Sequence, residues 1–129
     1  MIDLNRVVLV GHVVRDPKSR TLPSGEFVAR FSVATNYARR SKAGTPPERG
    51  VDFHEVIAWR DLAHLVMDRL LGGHLVYVEG KLRHREYVNR LGVKVRTSEI
   101  VLSRVMLGRP PKNRLPQAAV DNESQAASQ

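Results

Sequence analysis

The chain has 129 residues and a mass of 14.5 kDa, enough for one domain with one core, since single domains cluster near roughly 100–150 residues. It has no cysteine and no apolar run long enough for a spanning helix, which excludes disulfides, thiol chemistry and a membrane helix and makes a reducing, cytoplasmic setting the expectation. The net charge of +8 attracts polyanions; because the basic residues are spread over strands and loops instead of gathered on an amphipathic helix, nucleic acid is the expected partner and a membrane is not.

Met1–Arg6 lead directly into the apolar Val7–Val10, so no targeting segment is expected. Arg6–Val14 is apolar on both faces with Gly11 in its middle, the pattern of a strand that bends at the glycine and needs cover on both sides. Residues 16–25, with Pro17, Pro23 and Ser24-Gly25, predict a loop leading to a turn. Glu26–Asn36 alternates: Phe27, Ala29, Phe31, Val33 and Thr35 share a core face, opposite Arg30, Ser32 and Asn36. Residues 37–50 predict a basic loop in which Pro46-Pro47 exclude regular structure.

Val51–Arg60 reads as a third strand, and Asp61 as the cap of a helix over Leu62–Leu71 whose Leu62, Leu65, Val66 and Leu70 fall at helical spacing. Gly72-Gly73 ends it. Leu75–Lys81 passes through Gly80 into Leu82–Val88, and a turn around Asn89–Gly92 returns the chain along Val93–Leu107 as a long hairpin. Strand-interior glycines mark where a small barrel must bend. The predicted fold is all-β: a five-stranded OB-fold Greek-key barrel over residues 1–108, with one short helix between strands 3 and 4. Residues 109–129, rich in Pro, Ala, Ser and Gln, are expected to form a disordered tail. Residues 110–129 hold two basic groups, Lys112 and Arg114, and two acidic ones, Asp121 and Glu123, so the +8 belongs to the barrel.

Sequence-tolerant recognition of a single strand needs cations along the phosphates and aromatic faces for unstacked bases. Phe53, Glu55, Ile57 and Trp59 share one side of the third strand, and Arg83, Arg85 and Tyr87 share a parity in the fourth. Taken alone, Phe53 and Trp59 fit stacking and core burial equally well; Tyr87, within Arg83-His84-Arg85-Glu86-Tyr87, favours exposure. Arg39, Arg40 and Lys42 fit a solvated loop, although Tyr37 beside them adds a stacking candidate. Lys94 and Arg96 fit an ordinary exposed face as well as phosphate contacts. The five histidines lack ligand spacing, and no nucleophile elbow or phosphate-binding glycine loop is present. No catalytic residue, metal or cofactor is expected.

The motifs, in order, resemble the bacterial single-stranded DNA-binding protein family over about residues 1–107. They are Asn5–Gly11 with Arg15-Asp16-Pro17, Pro23-Ser24-Gly25, Phe31–Asn36, Phe53–Trp59, Val76–Arg83 and Thr97–Val101. The resemblance implies an OB-fold homotetramer that protects single-stranded DNA in replication, recombination and repair, associated with the nucleoid. It places Phe53, Trp59 and Tyr87 at base-stacking positions, and Arg6, Arg20, Arg40, Lys42, Arg83 and Arg85 near phosphates. It also implies subunit contacts through the first strand, with Val8 and Val10, and through His54.

Three departures stand out. Arg39 occupies a place where the family often has tryptophan, leaving Tyr37 as the nearest aromatic. Glu55 puts a carboxylate on the DNA face, repelling phosphate unless Arg83 or Arg85 pairs with it. The last residues, Asp121–Gln129, lack the acidic tip and Pro-Phe end that dock replication and repair proteins in the family, so those partners are not expected. Alternative readings are a dimeric, primosome-type assembly factor and an RNA-binding OB module, since stacking and phosphate contacts do not by themselves distinguish DNA from RNA.

Overall fold

Five of the six strands are long enough, and apolar enough on one face, to close a sheet on itself. The computed structural model describes residues 2–111. Its elements are β1 (Val7–Val13), β2 (Lys18–Thr21), β3 (Phe27–Arg39), β4 (Glu48–Trp59), α1 (Asp61–Arg69), β5 (Leu75–Val88) and β6 (Lys94–Leu107). The sheet order is β1-β5-β6-β4-β3-β2, and β1 also pairs with β3, so β1, β5, β6, β4 and β3 form a closed barrel. All pairings are antiparallel except β4 with β6, which meet in parallel at Val56↔Ile100 and Ile57↔Val101. The predicted five-stranded barrel and its helix between the third and fourth barrel strands are therefore present.

Closure falls at two glycines. β1 leaves β5 and meets β3 near Gly11, where a Cβ would lie 2.3 Å from the Ala34 carbonyl oxygen. At Gly80, beside a register shift in β5, a Cβ would lie 2.2 Å from the Val101 carbonyl oxygen. Neither backbone approach tolerates a side chain. Asn5 extends the pairing of β1, donating from Nδ2 to the Leu82 carbonyl and accepting the Leu82 N–H, both at 2.8 Å.

The interior is filled by Val13, Ala29, Phe31, Val33, Val56, Ala58, Val76, Val78, Ile100 and Leu102, and one end is closed by Ala63 and Val66 of α1 with Leu70 just after it. The core face expected of β3 is the observed one. On α1 the face is rotated slightly: Ala63 is buried, whereas Leu65 is 36% exposed. Asp61 is not the helix cap. Arg60 occupies that place, with φ 54° and no side-chain capping bond, while Asp61 lies in the first turn, where its charge suits the helix dipole. The helix ends at Arg69 because Leu70 is extended, one turn before the paired glycines.

Two segments expected to be loops are partly strand. Lys18–Thr21 pairs with Phe27–Arg30 as β2; its four residues are all exposed, so no apolar alternation announces it. The β3–β4 hairpin runs on to Arg39↔Glu48, with the Tyr37 ring lying over Gly50. Only residues 40–47 form the loop proper. At the other end, the Arg109 carbonyl accepts the Leu75 N–H at 2.9 Å, so strand-like pairing continues past residue 108. The tail expected from 109 lies outside the described residues from 112 onward. No helix among the described residues is long and apolar enough to cross a membrane.

Candidate nucleic-acid interface

Strand alternation turns Val56 and Ala58 into the barrel and Phe53, Glu55, Ile57 and Trp59 outward. They line an open groove of about 860 Å³. One wall is β2 and its approach, with Lys18 and Arg20; the other is β5, with Arg83 and Arg85; Arg30, Ser32 and Glu99 complete the floor. The groove thus joins two expected stacking residues, Phe53 and Trp59, to three expected phosphate ligands, Arg20, Arg83 and Arg85. Phe53 is 64% exposed, and Trp59 is half-buried, so both rings contribute to the wall and neither belongs to the core.

Charge in the groove is organised by Glu99, which is only 4% exposed. Its Oε2 accepts from Arg30 Nη1 at 2.8 Å, and its Oε1 lies 3.7 Å from Arg85 Nε. Glu55 is not paired with Arg83 or Arg85; it accepts a hydrogen bond from the Ser32 hydroxyl across the β3–β4 pairing. Arg85 also lies over the Tyr87 ring, 5.6 Å from its centroid, which continues the line of groups beyond the groove along β5.

The remaining candidates lie elsewhere. Tyr37 and Arg39 are at the far end of the β3–β4 hairpin, with Arg40 and Lys42 in its loop, and Arg39 is 3.9 Å from Glu48. Lys94 and Arg96 pair with Val88 and Glu86, on the opposite face of the β5–β6 ribbon from Arg85 and Tyr87. Arg6 is 3.2 Å from Glu79, which also accepts from the Tyr77 hydroxyl at 2.8 Å. Hydrogen bonds from Tyr77 and then Arg6 hold the Glu79 carboxyl below its ordinary range, and Glu79 raises the Arg6 guanidinium. Val8 and Val10 are exposed on β1, at 47% and 60%, and face the same side as Glu79 and Tyr77. His54 is partly buried, with Nε2 2.9 Å from Thr35 Oγ1.

Lys18, Arg30 and Glu99 are among the groove residues that sequence reasoning did not select. Arg30 shares the parity of Ser32, and the hairpin register set by the turn at Asn89 places Glu99 opposite Arg83. That register was the available signal. Among the described residues no three His, Asp or Glu side chains gather as metal ligands.

Comparison with known proteins agrees with this architecture. The model of the Single-strand binding protein family matches residues 4–107. Over 108 residues the chain is 37% identical to the single-stranded DNA-binding protein of Neisseria meningitidis, covering 83% of this chain and 62% of that one. Over 107 residues it is 40% identical to single-stranded DNA-binding protein 1 of Staphylococcus aureus, with coverages of 83% and 62%. The chain therefore spans about three-fifths of the length of these relatives. The solved structure of a Plasmodium falciparum SSB complex with ssDNA superposes with a TM-score of 0.76 at 27% identity, covering 84% of this chain and 98% of that chain. A closed barrel with this strand order, a match over residues 4–107 and these identities together mean that the chain belongs to the single-strand binding protein family.

Proposed function

We propose that the chain binds and protects single-stranded DNA in a sequence-tolerant way, by stacking bases on Phe53 and Trp59 and holding phosphates with Arg20, Arg83 and Arg85. The observation that carries this reading is the groove itself, where exposed aromatic faces and arginines converge on one side of the barrel. Stacking is indifferent to base identity because every base has a π-face, and arginine neutralises phosphate whatever the sequence. Tyr87, beside Arg85, extends the track; Tyr37, Arg39, Arg40, Lys42, Lys94, Arg96 and Arg6 supply outlying contacts for a strand that wraps beyond the groove. No bond is made or broken, so no catalytic group is required.

Val8 and Val10 on β1, with His54 on β4, are the surfaces through which copies of the chain assemble as a homotetramer. The role in the cell is to keep strands unpaired in replication, recombination and repair, at the nucleoid in the cytoplasm. The test is a titration of Trp59 fluorescence with oligo-thymidine and with duplex DNA, at low and high salt. Quenching by the single strand alone, weakening as salt rises, is expected. An equal response to the duplex would reduce the groove to a general polyanion patch.

A further inference from the structure

We infer that Glu55 biases the groove toward bases that carry an exocyclic amine, cytosine above thymine. The inference rests on the single-strand reading of the groove and adds a base preference to it. Glu55 follows Phe53 by two residues on the same outward side of β4, so their Cα atoms are about 6.8 Å apart along the strand. A base lying on the exposed Phe53 ring that points its edge along β4 spans half a ring and a hydrogen bond of about 2.9 Å before meeting the carboxylate. The spacing suits that contact.

Glu55 is available for it. The side chain is exposed, its one hydrogen bond among the described residues comes from the Ser32 hydroxyl to Oε2, and it forms no ion pair among them. Of the arginines lining the groove, Arg30 and Arg85 are engaged by Glu99 instead. An ionised carboxylate only accepts hydrogen bonds. It repels a phosphate, so the strand's backbone runs along the arginine walls and a base edge faces Glu55. Cytosine offers its N4 amine to such an acceptor, the pairing by which Glu and Asp read cytosine elsewhere. In the same pose thymine places O4 there, acceptor against acceptor, and its N3–H donor lies one ring position away, so thymine must shift on the Phe53 ring to regain a hydrogen bond.

The test measures binding of oligo-deoxycytidine and oligo-thymidine of equal length, by fluorescence anisotropy, to the full chain and to Glu55→Ala. The full chain's ratio of cytosine to thymine affinity is expected to exceed the variant's by about five- to tenfold. Oligonucleotides of N4,N4-dimethylcytosine, which lack the donor, should bind both proteins in the ratio seen with thymine. Removing a negative charge raises affinity for every strand alike, so the ratio isolates the base-edge contact. The same ratio in both proteins, with tight binding of both strands, overturns the inference and leaves the single-strand reading standing. Binding of neither strand by the full chain overturns that reading and the inference with it.

Discussion

Arg30 on β3 and Glu99 on β6 are 69 positions apart in the chain, yet they meet at 2.8 Å beneath the groove. Glu99 is almost fully buried, whereas Arg30 and Arg85 keep roughly two-fifths of their side chains in water. The carboxylate therefore does two things at once. It fixes the orientation of two arginines from two strands, and it cancels part of the positive charge that a phosphate would otherwise meet.

Glu99→Gln separates these effects. The neutral amide keeps one acceptor for Arg30 but loses the charge, so urea unfolding should show a loss of about 1 kcal/mol, the scale of a weakened charge-assisted hydrogen bond. Oligo-thymidine affinity at low salt should rise, and the slope of log affinity against log salt should steepen by about 0.7, one additional neutralised phosphate on a single strand. A fall in affinity at unchanged slope would instead make Glu99 an indispensable holder of the binding pose.

Phe53 and Trp59 should respond differently to truncation. Phe53 is mostly exposed, so Phe53→Ala should change stability by no more than about 0.5 kcal/mol while lowering single-strand affinity by about 1–3 kcal/mol. Trp59 is half-buried, and Trp59→Ala should lose about 2 kcal/mol of stability as well as affinity. Chemical denaturation alongside oligo-thymidine titration of each variant checks both halves. An affinity unchanged in Phe53→Ala would remove its ring from the stacking track.

Groove residues were legible in the sequence where one strand carries the whole pattern. Phe53, Glu55, Ile57 and Trp59 follow the period of two and do share one side of β4. The parity of Arg83, Arg85 and Tyr87 likewise survives in β5. What the sequence did not disclose are relations between strands distant in the chain. The Arg30–Glu99 contact depends on how β4 lies in parallel beside β6, a pairing that no local signal announces. β2 escaped because an edge strand exposed at all four positions has no apolar alternation to show. In α1, helical spacing alone could not tell Leu65 from Ala63, because the direction of the helix over the barrel end decides which of them is covered.

The two barrel-closing glycines predict a steep cost for the smallest side chain. In Gly11→Ala the new Cβ would overlap the Ala34 carbonyl and the Val33 side chain, and backbone cannot swing aside as a flexible side chain can. Overpacking of this kind costs about 1–3 kcal/mol, and a rigid carbonyl puts Gly11→Ala at the upper end. Urea midpoints for Gly11→Ala and Gly80→Ala should both fall accordingly. A midpoint within experimental error of the parent protein would mean that β1 can slide along β3 without loss.

β1 presents Val8 and Val10 to solvent in the single chain, which suits a surface covered by another copy. If copies assemble through this surface as proposed, the parent protein should have the mass of a tetramer by light scattering, and Val10→Asp, whose side chain points away from the core, should leave the barrel folded but lower that mass. An unchanged mass would move the subunit contact off β1.

His74 gives the fold a pH dependence whose sign follows from its surroundings. The side chain is 1% exposed, and its Nδ1 accepts the Leu71 N–H at 3.0 Å, which requires an unprotonated nitrogen. Burial holds the imidazole below its ordinary value of 6.5. Between the folded and unfolded values the unfolded chain binds the extra proton, so stability is full above about 6.5 and falls as pH drops toward the folded value. Protonation in the fold would also break the bond from Leu71. Urea unfolding between pH 7.5 and pH 5, on the order of the histidine range, should therefore show declining stability in the parent protein. The decline should be shallower in His74→Leu, whose buried side chain has no proton to gain. A parallel decline in both proteins would assign the pH dependence to other groups.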